Sequence, residues 1–356
     1  MKKSLAALAI IGALSASANA QDAVTVYGIV DAGMVVDRGN TAGSMNKLSS
    51  GAQSGTRIGF KGTEKIGALT GLFVLETGIA ADAGGFNQGN GFARQSFVGL
   101  RGDFGTVTLG RQYSSYFLAL HEADPFASGL AGTSSNLMAN SGIRMNNTVK
   151  YASPLFQGFG GEIAYGFGEV AGNSTASRQV SASLGYSMAP LTIKLAHHNR
   201  RNAADTATSK NTMLTATMDF QVAKAFVAYA QNDGAASSPV PGVAPAAAAT
   251  PSTIFAPFGT TATPSSKSRD YLIGVTAPFG PHTFIASYIY KDDRNAANND
   301  ANQIGLGYTY AFSKRTNLYA AWARIDNKRL ASYTVGNNSE VGTGDKAFNL
   351  GVRHVF

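Results

Sequence analysis

From residue 21 onward the hydrophobic pattern repeats every second residue, and that rhythm limits the fold more than any other feature of the chain. Ile304, Leu306, Tyr308, Tyr310 and Phe312 alternate with Gln303, Gly305, Gly307, Thr309 and Ala311. Val180, Ala182, Leu184, Tyr186 and Met188 alternate with Ser181, Ser183, Gly185 and Ser187. The same holds for Tyr271, Ile273, Val275, Ala277 and Phe279, and for Leu214, Ala216, Met218 and Phe220. Successive side chains of a strand point to opposite faces, so each segment reads as a strand with one apolar face and one small or polar face. No segment after residue 20 carries the period of a long amphipathic helix.

The rhythm yields sixteen strands, near 23–36, 55–63, 69–78, 91–102, 104–113, 145–153, 158–169, 177–188, 191–200, 210–220, 223–232, 268–279, 281–291, 300–312, 314–326 and 345–356. Their connections alternate in length. Those at 37–54, 79–90, 114–144, 170–176, 201–209, 233–267, 292–299 and 327–344 are long, and those between them are tight turns. Tight turns on one side and long loops on the other are the pattern of a transmembrane barrel. Strands of about ten residues tilted near 45° cross the hydrocarbon layer. In lipid every backbone N–H and C=O needs a partner, so strands span only as a closed ring. The expected fold is all-β: a 16-stranded antiparallel transmembrane β-barrel with both chain ends on the periplasmic side, among the tight turns. Val24, Val26, Gly28 and Val30 are expected to face outward on the first strand, and Phe348, Leu350, Val352, His354 and Phe356 share one parity on the last.

Charged residues make up 14% of the chain, against roughly 25% in soluble domains. Glycine is frequent, at 41 of 356 residues, and cysteine is absent, which excludes disulfides and thiolate chemistry. Lys2 and Lys3, the apolar run Leu5 to Leu14 and the Ala18-Asn19-Ala20 site have the form of an export signal over residues 1–20. Residues 21–356 would then be the mature barrel domain. The formal charge is +8, or +6 without Lys2 and Lys3. On an exported chain that excess suits anionic lipid or anionic solutes, not nucleic acid.

Two connections stand out. The segment 233–267 is rich in Pro, Ala, Ser and Thr and reads as a mobile external loop. The segment 114–144 mixes Tyr116, Phe117, Leu118 and Phe126 with His121, Glu122 and Asp124, a mixture suited to a loop packed inside a lumen. A terminal Phe356 after alternating apolar residues resembles the signal by which outer-membrane barrels are recognised for assembly.

Val26-Tyr27-Gly28, Arg57-Ile58-Gly59-Phe60-Lys61-Gly62, Phe97-Val98-Gly99-Leu100 and Phe104-Gly105-Thr106-Val107-Thr108-Leu109-Gly110-Arg111 carry a likeness, as do Asn146-Asn147-Thr148-Val149-Lys150-Tyr151 and the ending Gly351-Val352-Arg353-His354-Val355-Phe356. In this order they resemble the general Gram-negative porins, above all the β-proteobacterial and neisserial branch, over the whole mature chain. The resemblance implies a passive diffusion channel for small hydrophilic solutes and ions in the outer membrane. It implies a homotrimer without cofactors, with the third external loop folded into each lumen. Its partners would be other copies of itself, outer-membrane lipid and lipopolysaccharide, the barrel-assembly machinery, and small anionic and polar solutes.

The family pattern sets arginines on one barrel wall opposite acids of the third loop. On this sequence the basic wall would be Arg57, Arg111, Arg144, Lys61 and Arg38, and the acids Glu122 and Asp124. Arg57 shares parity with Gly59 and Lys61, which points it into the lumen. Arg111 shares parity with Val107 and Leu109, so a bulge at the strand end is needed to re-aim it. Asp31 has lumen parity, and Lys194, Arg200 and Arg94 are further candidates. Charge in a narrow pore with low-dielectric walls focuses the field and concentrates counter-ions. The surplus of bases predicts a mild anion preference.

Other chemistries find little support. His197 and His198 are adjacent on a strand and point to opposite faces, and no spaced set of His and carboxylates suggests a metal. No nucleophile pairs with a histidine, so no catalysis is expected. A plugged barrel serving as an adhesin is disfavoured by the many small residues on the inward face. A secreted β-sandwich is disfavoured by the segregation of tight and long connections. Trp322 fits an interfacial girdle, the lumen or a subunit contact equally well.

Overall fold

A computed structural model describes residues 24–39, 43–86, 91–139, 142–234 and 266–356. The export signal at 1–20 and nearly all of the 233–267 connection lie outside the described residues. The strands are β1 (Val24–Arg38), β2 (Met45–Ser50), β3 (Arg57–Ile66), β4 (Leu69–Gly78), β5 (Gln95–Gly102), β6 (Gly105–Tyr113), β7 (Arg144–Met145), β8 (Thr148–Ala152) and β9 (Phe159–Gly166). They continue as β10 (Gln179–Met188), β11 (Leu191–Arg201), β12 (Thr208–Asp219), β13 (Lys224–Asp233), β14 (Lys267–Phe279), β15 (His282–Asp293), β16 (Ala301–Ala311), β17 (Thr316–Asn327) and β18 (Lys346–Val355). A helix, α1 (Ser115–Ala123), lies between β6 and β7.

These eighteen segments make sixteen staves. β2 pairs with β1 from Ala32↔Ser50 to Asp37↔Met45, and β3 continues the same stave from Ile29↔Arg57 to Val24↔Gly62. β7 and β8 likewise share the stave beside β6. The connection expected at 37–54 therefore contains a strand. β1 pairs with β18 from Ile29↔Val355 to Arg38↔Lys346, which closes the ring. Gly28 and Phe356 extend the seam by exchanging both backbone hydrogen bonds at 3.1 Å.

Closure gives every stave of the ring a hydrogen-bonded neighbour on both sides, and the side chains then sort by parity. Val24, Val26, Val30 and Met34 of β1 and Phe348, Leu350 and Val352 of β18 are exposed on the outer face, with Phe356 beyond them. Trp322 is on this face too, between its register partners Leu306 and Phe348. Water would penalise so much apolar surface, whereas lipid accepts it. Near the tight turns Phe104, Phe156, Phe279 and Phe312 are exposed. Toward the long loops Tyr229, Tyr271 and Tyr290 lie side by side. These are the two aromatic girdles of a spanning barrel.

The opposite face differs from the small or polar surface that alternation alone suggests. From β11 to β17 it carries Met213, Leu272, Ile289 and Ile325, packed with α1 and the residues after it into a buried core. Ser114 caps α1, its Oγ accepting from the Phe117 N–H at 3.1 Å. The connection is then pinned to widely separated partners. Tyr116 N–H donates to Ser181 Oγ at 3.1 Å, and Leu130 N–H to the Ala52 carbonyl at 2.7 Å. Asn136 Nδ2 donates to Gln303 Oε1 at 2.7 Å, and Ala139 N–H to Asp270 Oδ2 at 3.2 Å. Beneath it Lys291 Nζ and Asp270 Oδ1 form a fully buried pair at 2.7 Å. Gly305 is bare where the connection lies closest. A Cβ there would stand 2.8 Å from the Gly132 Cα, too near for any side chain.

Candidate functional site

Four guanidiniums gather in one region that holds two phenols, Tyr27 and Tyr113, and the carboxylate of Glu76. β3 and β4 pair Gly59 with Glu76, which puts Glu76 on the same face as Arg57. Arg57 Nε lies 3.5 Å from Glu76 Oε2. Tyr27 Oη donates to the same oxygen at 3.0 Å. Arg94 immediately precedes β5, whose first residue Gln95 pairs with Glu76. Its Nε donates to Glu76 Oε1 at 2.7 Å and its Nη2 to Tyr113 Oη at 3.0 Å, and the residue is only 3% exposed. Arg144 Nη2 donates to the same phenol at 2.6 Å, and its guanidinium carbon sits 4.4 Å from the Tyr113 ring centroid. Lys61 is exposed on the same face, with Nζ 5.2 Å from the Tyr27 ring centroid.

Arg111 joins this region through a break in the strand rhythm. Between the register pairs Leu109↔Val149 and Gln112↔Met145, β6 contributes two residues and its partner three. This is a bulge on the β7–β8 stave, and it coincides with Gly110 at φ +125°. Leu109 is exposed on the outer face, yet Tyr113, of the same parity, stacks its ring on Phe117 of α1 at 5.3 Å. Within the break Arg111 Nε donates to the Ala93 carbonyl at 2.5 Å and Nη1 to Asn146 Oδ1.

The acids of the helix and loop are occupied. Glu122, at the end of α1, forms an ion pair with Lys194 of β11, and the two side chains are 37% and 30% exposed. Asp124 is 2% exposed and accepts from three backbone N–H groups: Phe126 at 2.9 Å, Ser128 at 3.1 Å and Ser134 at 2.8 Å. Burial pushes its carboxyl pKa up, against the pull of those N–H groups. This differs from the open wall charge expected of Asp124, because its own loop consumes both oxygens. Asp31 is buried as well: its Oδ2 accepts from the Gln53 and Ser54 N–H groups at 2.8 and 2.6 Å, and its Oδ1 from Tyr319 Oη at 2.7 Å.

His121 closes a row of rings from the arginines to the helix, 5.9 Å from Phe117. Burial lowers its pKa; Asp124 opposes that shift and Arg57 reinforces it. Arg38 stands apart at the end of β1, donating to the Asp37 carbonyl at 2.8 Å and to Asn46 Oδ1 at 3.0 Å. Arg200 is exposed at the end of β11. Among the described residues no three His, Asp or Glu side chains converge as metal ligands would.

The structure thus brings together Arg57, Arg94, Arg111 and Arg144, and pairs Glu122 with Lys194. Sequence reasoning missed Glu76, Tyr113 and Tyr27. Glu76 left one trace, as the only acid within β4. Arg94, a further candidate from the sequence, stands just outside β5, which begins at Gln95.

A family profile described as Gram-negative porin matches residues 4–330. An outer membrane porin protein of Bordetella pertussis is 30% identical over 409 aligned residues, covering all of both chains. Outer membrane porin protein 32 of Delftia acidovorans is 31% identical over 383, again covering all of both. Among solved structures, an anion-selective porin from Comamonas acidovorans superposes with a TM-score of 0.77 at 28% identity, covering 94% of this chain and 100% of that one.

Proposed function

The chain belongs to the Gram-negative porin family, and on that premise we propose how its own residues decide what passes. It is a passive diffusion channel of the outer membrane for small hydrophilic solutes and ions, and members of its family are channels rather than enzymes. The connection between β6 and β7 folds into the lumen as the third external loop and narrows the passage beside the arginines. Its packing against β10, β14 and β16 supports this reading.

The observation that carries the selectivity is the charge balance of the cluster. Arg57 and Arg94 share Glu76, while Arg144 binds the Tyr113 phenol and Arg111 a carbonyl and an amide. Among the described residues Glu76 is thus the one carboxylate in contact with these four guanidiniums. Glu122 is balanced by Lys194, and Asp124 is consumed by backbone donors. Low-dielectric walls weaken the screening that bulk water would give, so the surplus favours anions in the narrow section. The likeness to an anion-selective porin supports the sign. Reversal potentials across a planar bilayer under a KCl gradient test it: the expected sign is that of chloride preference, and a potassium sign overturns the proposal.

Export by the signal at residues 1–20, recognition of the strand ending at Phe356 by the assembly machinery, and association into homotrimers complete the reading. An apolar groove of about 710 Å³ on the outer face, lined by Val24, Leu72, Phe73, Val98, Leu100 and Leu109, offers a surface for subunit contact. Crosslinking in native membranes checks the trimer.

A further inference from the structure

Tyr113, Phe117 and His121 form a column of rings. Tyr113 and Phe117 lie 5.3 Å apart with an interplanar angle of 19°, and Phe117 and His121 5.9 Å apart at 29°. Both pairs have the spacing of stacked rings. The helix supplies the second pair, because residues four apart share a face. The Arg144 guanidinium closes one end of the column, its carbon 4.4 Å from the Tyr113 centroid. Toward the other end Phe117 is buried, whereas His121 keeps an exposed surface within a crowded surround.

The imidazole is held in place. Ser128 Oγ lies 3.2 Å from its Nδ1. Ser128 belongs to a turn with φ of +48° at Ala127 and +56° at Ser128, a left-handed backbone that such residues keep only where the surroundings impose it. Asp124 helps to impose it by accepting the Ser128 N–H at 3.1 Å. The cation within electrostatic reach is Arg57, whose charge acts on the His121 titration. Its side chain is 25% exposed, against 3% for that of Arg94. Glu122, next to His121, is balanced by Lys194. An open ring face beside an accessible guanidinium selects for a solute with a flat π surface and a negative group. We propose that the channel favours planar aromatic anions, whose carboxylate or sulfonate meets Arg57 while the ring stacks on His121 at the end of the column. The inference rests on the reading of the β6–β7 connection as a loop inside the lumen. An alicyclic anion would use Arg57 and gain nothing from the rings. Stacking is weak enough for the solute to leave again, which throughput requires.

Bi-ionic potentials across a planar bilayer holding the whole barrel compare potassium benzenesulfonate with potassium cyclohexanesulfonate. Both anions are permanently charged and similar in size, and only the first is flat and aromatic. The wild-type channel should pass benzenesulfonate about threefold more readily. His121→Leu has a comparable volume and no π face, and its ratio should fall by about twofold or more. His121→Phe restores the stacking face and should keep the wild-type ratio. A second measurement uses the wild-type protein alone. Benzenesulfonate should slow the modification of His121 by diethyl pyrocarbonate, read by peptide mass, more than cyclohexanesulfonate does.

A wild-type ratio near one overturns the proposal. So does a His121→Leu ratio equal to that of the wild type, because flatness alone would then explain the preference. Equal protection of His121 by the two sulfonates overturns it as well, and that result decides if His121→Leu fails to fold. Reversal potentials in KCl separate the two readings. A chloride sign with no discrimination between the sulfonates sinks the aromatic preference and leaves the anion channel standing. A potassium sign sinks both.

Discussion

Glu76 bears on two guanidiniums and one phenol, so its charge does more than its size suggests. Replacing it by Gln leaves an oxygen for Arg94 but removes the only carboxylate in contact with Arg57 and Arg94 among the described residues. Glu76→Gln should strengthen the anion preference, read as a larger reversal potential of the same sign. It should also cost about 1.5–3 kcal/mol of stability, the weight of a hydrogen bond to a charged group. Tyr113 tests the other half of the cluster. Its hydroxyl accepts from Arg94 and Arg144, while its ring faces the Arg144 guanidinium. Tyr113→Phe keeps the ring contact and removes the oxygen to which both guanidiniums donate. The expected result is a lower thermal midpoint with the sign of ion selectivity unchanged, because no charge is lost.

The connection carrying α1 is held by one carboxylate and a few distant bonds rather than by a ladder. Asp124 gathers the N–H groups of Phe126, Ser128 and Ser134, a local alternative to helix or sheet that short acidic side chains favour. Asp124→Ala leaves those buried donors unmet. It should raise open-channel noise and unitary conductance in single-channel recordings while lowering the midpoint of heat unfolding. His121 gives the same element a pH dependence. Its pKa in the fold lies below the ordinary histidine value because the ring is buried. As pH falls the unfolded chain takes up the proton first. The contribution to stability is therefore full above about pH 6.5 and is lost as pH drops toward the folded pKa. His121→Gln should shrink the loss of thermal midpoint between about pH 7.5 and about pH 5. An unchanged loss would assign the acid sensitivity to other groups.

Closure of β1 on β18 turns sixteen staves into one low-dielectric wall around water, and on the proposed reading the arginine cluster would act through that geometry rather than by contact alone. A surplus charge on a flat surface would be screened within about 10 Å at 0.1 M salt and about 3 Å at 1 M. Inside the ring, part of the field is shielded from bulk ions. The chloride-to-potassium permeability ratio should therefore fall as KCl rises from about 0.1 M to about 1 M, yet stay above one. A ratio that reaches one at the lower concentration would place the cations on the outer rim.

Alternation alone dictated the barrel, because neighbouring side chains of a strand must face opposite ways and lipid leaves no peptide group without a partner. The outward faces of β1 and β18, the tight turns and the stave count could all be read locally for that reason. The charged site could not. Arg111 is placed by an extra residue on the stave opposite it. Arg94 works from just outside a strand, where period two says nothing. Asp124 is consumed by the backbone of its own loop, and the inner wall under that loop is apolar because the loop covers it. Each of these depends on which distant segment packs beside it, and only the packed chain settles that.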